Sequence, residues 1–259
     1  VSDTATALRP APVQVSPWAT YRTLLRWQVA SIGPLLPLVV VIQALLAAGI
    51  IVGFGFLIPD IDPGTALFLS TGAPTVLLLT VGLVIVPQGV SRSRTDGTFN
   101  YMRSLPIARP LLLAAEMTVW LLIALPSVAV GVLVARLRYD LTFDIDWPVL
   151  VAAALLVTLT ATAVGYAIAV SLQPLLAQLL TQVLVFFVLL FSPITFPATQ
   201  LPAWFQSVHD VLPARPGADL LRAGLASQTF EASGRDLLVL GVWCVLGVAV
   251  TLRALVRRG

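Results

Sequence analysis

The side chains able to do chemistry are few and scattered. Glu116 stands about a turn and a half into an apolar run that opens near residue 111, and an ionisable group at membrane depth is a candidate for proton coupling. A structural role competes with that one, because a glutamate this close to the edge of the run can snorkel or pair with Arg109 or Arg103. His209 and Cys244 are solitary and far apart in the sequence, so no metal site and no activated nucleophile is expected. A single cysteine also excludes an intrachain disulfide. All fifteen basic residues are arginine. The chain therefore lacks the phosphate-binding lysine of a G-x-x-x-x-G-K-[ST] loop and the amine of a Schiff base. An intramembrane enzyme would need several acids or histidines clustered within the apolar runs, and Glu116 alone makes no cluster.

What must position these residues is a bilayer. The chain of 259 residues is 58% hydrophobic and 10% charged, against about 25% charged in a soluble domain. No charge falls between Trp27 and Pro59, between Pro63 and Ser91, or between Trp147 and Val208, and each stretch exceeds the roughly 20 residues that cross a hydrocarbon core. The expectation is an all-α integral membrane protein, with six spans at about 35–58, 66–88, 111–135, 149–172, 176–196 and 236–255 in one transmembrane domain over 34–259. Gln173-Pro174 is the only break between the fourth and fifth spans, and proline's missing N–H makes a tight hairpin there.

Residues 1–13, rich in Ala, Pro, Thr and Ser, are expected to form a flexible cytosolic tail. Over 14–33, Trp18, Tyr21, Leu25 and Val29 fall near one helical face and Arg22 and Arg26 on another, which predicts an amphipathic helix in the headgroup layer. With the N-terminus cytosolic, the inner side carries Arg9, Arg22, Arg26, Arg92, Arg94, Arg103, Arg109, Arg253, Arg257 and Arg258, against Arg136, Arg138, Arg215, Arg222 and Arg235 outside. Ten against five obeys the positive-inside rule, with both termini cytosolic. The lysine-free, Arg- and Ala-rich usage points to a GC-rich bacterium, and the expected location is its cytoplasmic membrane. No internal repeat is visible, so the inverted repeats of a secondary carrier are not in view. A channel or carrier not driven by ATP remains the alternative.

Two segments carry the functional reading. The loop expected between spans two and three runs from Gly89 to Pro106 and contains Arg92, Arg94, Gly97, Thr98 and Arg103. Asp96 or Thr95 can cap a short helix in which Phe99, Met102 and Leu105 recur at helical spacing, with Pro106 at its end. A solvated basic loop that holds topology is the plainer reading. Between spans five and six the chain reads Phe191-Ser192-Pro193-Ile194-Thr195-Phe196-Pro197, then Leu201-Pro202-Ala203-Trp204-Phe205, then Leu212-Pro213. Its prolines forbid a continuous helix and Trp204 suits the membrane interface. Broken backbone at this depth needs shelter from protein or cavity water, for which a partner subunit is one source; a long outer loop on the lipid is the alternative.

These residues resemble those of permease subunits of type-2 ABC exporters, the drug-resistance and polyketide-antibiotic branch. The likeness rests on Arg92, Arg94, Gly97, Thr98 and Leu105-Pro106-Ile107-Ala108-Arg109, and on the Ser192-Pro193 to Leu212-Pro213 run. The family pattern often has glutamates among the arginines, where this chain has Ser91 and Ser93. The resemblance implies that residues about 92–105 form a cytosolic coupling helix seated in a groove of a separate ABC ATPase, which binds ATP and Mg. It further implies short re-entrant helices after the fifth span, with Pro193, Phe196, Pro197, Pro202 and Trp204, and a second permease copy or sister permease. The cargo would be an amphipathic or lipophilic drug, antibiotic or lipid. No cofactor, metal or nucleic acid is expected on this chain.

On the fifth span, Gln178, Thr181 and Gln182 share a face, with Thr158, Thr160 and Thr162 of the fourth as expected hydrogen-bond partners. Because family permeases place the fifth span beside the central cleft, Phe186, Phe187 and Phe191 join them as a candidate substrate path, with lipid contact or packing as the plainer role of an aromatic stripe.

Overall fold

The computed structural model describes residues 16–57 and 61–257. The expected tail over 1–13 and the end of the first span near 58 lie outside those residues. Among the described residues there are helices and no strands, and six helical stretches are long and apolar enough to cross a membrane.

Helix α1 (Pro17–Ile32) opens on a proline, which the first helical turn tolerates because its N–H has no partner there anyway. It lies along α6 (Arg109–Ala124). The covered stripe is Tyr21, Leu24, Leu25 and Gln28, whereas Trp18 and Val29, expected on the same face as Tyr21, are exposed with Arg22 and Arg26. The Tyr21 hydroxyl and the Thr118 hydroxyl are 2.8 Å apart, so a packed helix, not lipid alone, receives this face.

Helix α2 (Leu36–Leu57) is the first span. Helix α3 (Pro63–Thr80) starts at Asp62, whose carboxylate accepts from the Thr65 hydroxyl at 2.6 Å and the Thr65 N–H at 3.0 Å. Those bonds hold the Asp62 carboxyl below its usual pKa and satisfy an orphan donor of the first turn. The span continues through a π turn (Val81–Ile85) into α4 (Val86–Thr95). It therefore ends at Thr95 and not near 88, and Arg92 and Arg94 ride on the helix rather than in a loop. Helix α6 passes through Leu125 into α7 (Pro126–Tyr139) as one span of 31 residues, and the Tyr139 hydroxyl donates to the Ile51 carbonyl of α2 at 2.9 Å.

Helix α8 (Trp147–Ser171), capped by Asp146, is the hub. It packs against α12 (Gly234–Arg257), the π turn, α4, α6 and α9 (Pro174–Phe191). Lipid tails are as apolar as leucine, so close backbone approach, rather than hydrophobic drive, holds such helices together. Gly165 faces the Gly82 carbonyl, which in the i→i+5 register would receive the N–H that Pro87 lacks. On the other side of α8, Gly247 of α12 lies against Ala163. A Cβ at Gly165 would run into the Gly82 carbonyl, which is backbone and cannot swing aside. Gly165→Val should therefore destabilise the bundle by about 1–3 kcal/mol or more. The expected readout is loss of the monodisperse size-exclusion peak in mild detergent; a wild-type peak would contradict this packing.

The outward faces of α2, α9 and α12 are apolar and exposed, with Leu38, Val41, Leu45, Leu179, Val183, Leu190, Val242, Val245 and Leu246 among them. That pattern is the one lipid requires as solvent.

Candidate functional site

Gly97 adopts φ of +82°, a left-handed conformation open to glycine without strain. This reversal ends α4 and starts α5 (Thr98–Ser104), with Tyr101 N–H donating to the Gly97 carbonyl at 3.0 Å. No side chain caps α5. The Thr95 hydroxyl, expected as a cap, instead donates back to Ser91 at 3.0 Å.

The apolar stripe of α5 turns toward its own bundle. Phe99, 9% exposed, packs with Val90, Leu113, Met117, Tyr166 and Leu255, and Met102, 8% exposed, packs with Leu24, Leu112 and Ala115. Phe99 and Met102 are thus covered by their own chain, and burying them is what fixes so short a helix, which alone would not form. Leu105 and Thr98 are half-buried, and the outward face carries Asn100, Ser104 and Tyr101, the last 64% exposed. Arg92 is exposed. Arg94 points inward and its guanidinium donates to the Ala169 and Leu172 carbonyls, so a cation meets the partial negative charge at the end of α8. The Arg103 side chain lies outside the described set.

At the opposite end of the bundle the chain turns inward after Phe191. Ser192, Pro193, Ile194 and Thr195 are buried, Phe196 and Pro197 half-buried, and Pro202 and Trp204 exposed at the start of α10 (Ala203–His209). Helix α11 (Ala214–Leu225) then dives between α3 and α8. Its Arg222 is 1% exposed. The guanidinium donates to the Ile194 carbonyl and to Asp219 at 2.8 Å, and stacks 3.7 Å from the centre of the Phe68 ring. Gly72 leaves the space that Ile194 and Arg222 fill. The shelter that broken backbone needs thus comes from this chain. Asp210 pairs with Arg215 and, at 3.5 Å, with Arg235, while Trp243 of α12 donates to the Val211 carbonyl at 2.7 Å. These bonds tie α10, α11 and α12 together.

On α9, Gln182, Phe186, Phe187 and Phe191 are exposed, Gln178 is half-buried, and Thr181 is buried but donates to Ala177 and Gln178 of its own helix. The expected bonds from the fourth span are not made: Thr158 donates to Ala154, and Thr160 donates to Leu240 of α12 at 3.2 Å. Hydroxyls within reach of an i−4 carbonyl close locally first. Phe187 turns toward His209, its ring stacked at 6.4 Å. Glu116 meets the Tyr166 phenol of α8, and its second oxygen has no partner. No group of three or more potential metal ligands occurs among the described residues.

A family model for the ABC-2 type transporter matches residues 19–226, from α1 through α11. The chain belongs to the ABC-2 type transporter family. A search of curated proteins found no match to it. As an ABC-2 permease it is a membrane-spanning subunit of an ABC transporter, of a family that pairs with an ABC ATPase and carries no ATPase site of its own. The ABC-2 match leaves α12 outside, although α12 is the main packing partner of α8. Sequence reasoning missed three features of this permease: the outward Tyr101, the Arg94 cap and the buried Arg222. A signal for the last was present, since an arginine three residues after Asp219, in a helix otherwise rich in Leu, Ala and Gly, has a partner ready for burial.

Proposed function

We propose that this permease exports an amphipathic or lipophilic compound, such as a drug, antibiotic or lipid, from the cytoplasm or inner leaflet. It works by alternating access driven by a separate ATPase that binds ATP and Mg. Two permeases, identical or sister chains, stand in a bacterial cytoplasmic membrane with both termini and the α4–α5 turn in the cytosol. The observation that carries the reading is the construction of α5: a short helix bolted to the bundle by Phe99 and Met102, with Tyr101 and its polar neighbours turned outward. A rigid stub of this kind can pass motion from one domain to another, and Arg92 beside it is free of the bundle. The exposed face of α9, with Gln182, Phe186 and Phe191, suits a cleft shared with the second permease, while Arg94 serves the chain's own packing. The work is an affinity difference between two conformations, powered elsewhere.

Thiol labelling tests the orientation. In a Cys244→Ser background, Tyr101→Cys is expected to react with a membrane-impermeant maleimide only in inside-out vesicles, and Ser207→Cys only in intact cells. The reverse pattern would place α5 beyond the reach of any cytosolic ATPase.

A further inference from the structure

Helices α9 and α12 both pack on α8 but make little contact with each other. The slot between them, in the half of the bundle that holds the α10–α11 corner, opens into a cavity of about 370 Å³. Val164 and Ile168 of α8 form its floor, Leu184 and Phe187 of α9 one wall, and Leu240 and Trp243 of α12 the other. His209, held between the Phe187 and Phe205 rings, closes one end.

Most polar groups around the cavity have partners of their own. Thr160 donates to Leu240, the Trp243 indole to Val211, and His209 bonds the Phe205 carbonyl through Nδ1 at 2.9 Å. His209 Nε2 and Ser192 Oγ have no partner, but both are covered. The accessible wall is therefore almost wholly apolar. Water finds no hydrogen bond there, and an unfilled apolar void forfeits dispersion contacts along its lining. The exposed Val183, Leu190, Val242 and Leu246 flank the slot, and so apolar a rim suits lipid rather than water. The volume lies near the lower end of the roughly 300–1,000 Å³ of small-molecule sites, enough for one chain and not for a two-chain lipid with its headgroup.

We propose that this cavity holds one acyl chain of a bilayer lipid, inserted sideways between α9 and α12 from the leaflet opposite α5, with the headgroup left outside. The site lies within a single permease and is independent of the export reading; it requires only that the chain sit in a bilayer.

The test is photolabelling of the full chain in vesicles of phosphatidylethanolamine and phosphatidylglycerol, the latter carrying a mid-chain diazirine. Peptide mapping should find labels on Val164, Leu184 and Trp243 at least about fivefold denser than on Leu38, Val41 and Leu45 of the outward face of α2; that ratio corresponds to ~1 kcal/mol of preference. Val164→Trp fills the floor and should remove the excess at Leu184 and Trp243 while leaving the α2 labels alone. Should that variant fold poorly, Leu184→Trp fills the cavity from the more exposed α9, with Val164 and Trp243 as readout. Equal densities in wild type, no cavity label, or an excess that survives filling would each overturn the proposal.

Discussion

Tyr101→Asp is expected to leave the permease folded and membrane-inserted but to prevent its co-purification with the ATPase. Tyr101 is a large side chain that α5 turns away from the bundle, and an exposed tyrosine on a fixed helix is the kind of residue that dominates an interface. Losing it typically weakens association by about 2–4 kcal/mol, or roughly thirtyfold to a thousandfold. The contrast with its neighbours makes the experiment specific. Phe99→Asp or Met102→Asp would put a charge into the permease's own core, so those variants should lose thermal stability before any partner is added. Intact ATPase binding by a well-folded Tyr101→Asp variant would remove α5 from the coupling path.

Arg222→Ala should have the largest effect on stability. The guanidinium satisfies the Ile194 carbonyl at the point where the chain leaves helical geometry, and it covers the Phe68 ring. Removing one member of a buried ionic network costs on the order of 3–5 kcal/mol. Asp219 is half-exposed and can hydrate, so the orphaned carbonyl and the vacated volume carry most of the cost. Arg222→Lys keeps the charge but not the planar fork, and should recover only part of the loss. Detergent-resistant thermal unfolding is the measurement, and a midpoint unchanged by Arg222→Ala would mean that the inward turn does not depend on this arginine.

The spans were legible because charge-free runs longer than a bilayer are hard to misread, and the breaks at Gln173-Pro174 and Ser192-Pro193 followed from proline. Direction was harder to read. The spacing of Phe99 and Met102 marks a stripe, but a stripe says only that something covers it, and here the cover is α1, α6, α8 and α12 of the same chain. The second span outlasted its expected end because Arg92 and Arg94 look like loop residues until the end of α8, some 75 residues later, supplies Arg94 with carbonyls. Arg222 counted as one of the charges outside because the inward course of α11 depends on the glycines and alanines that let it approach α3 and α8, a matter of fit rather than of hydropathy. Glu116 is conspicuous in an apolar run and its partner Tyr166 is not, because pairing across 50 positions leaves no local pattern.

The π turn at Val81–Ile85 sets the angular phase of all that follows it on the second span. One extra residue in a turn offsets the register by about 100° and the length by about 1.5 Å. Were that turn to tighten to ordinary pitch, Arg94 would swing a quarter-circle off the end of α8 and α5 would swing with it. A wide turn next to a proline is thus a place where twist about the helix axis, rather than tilt, can travel between the two ends of this span.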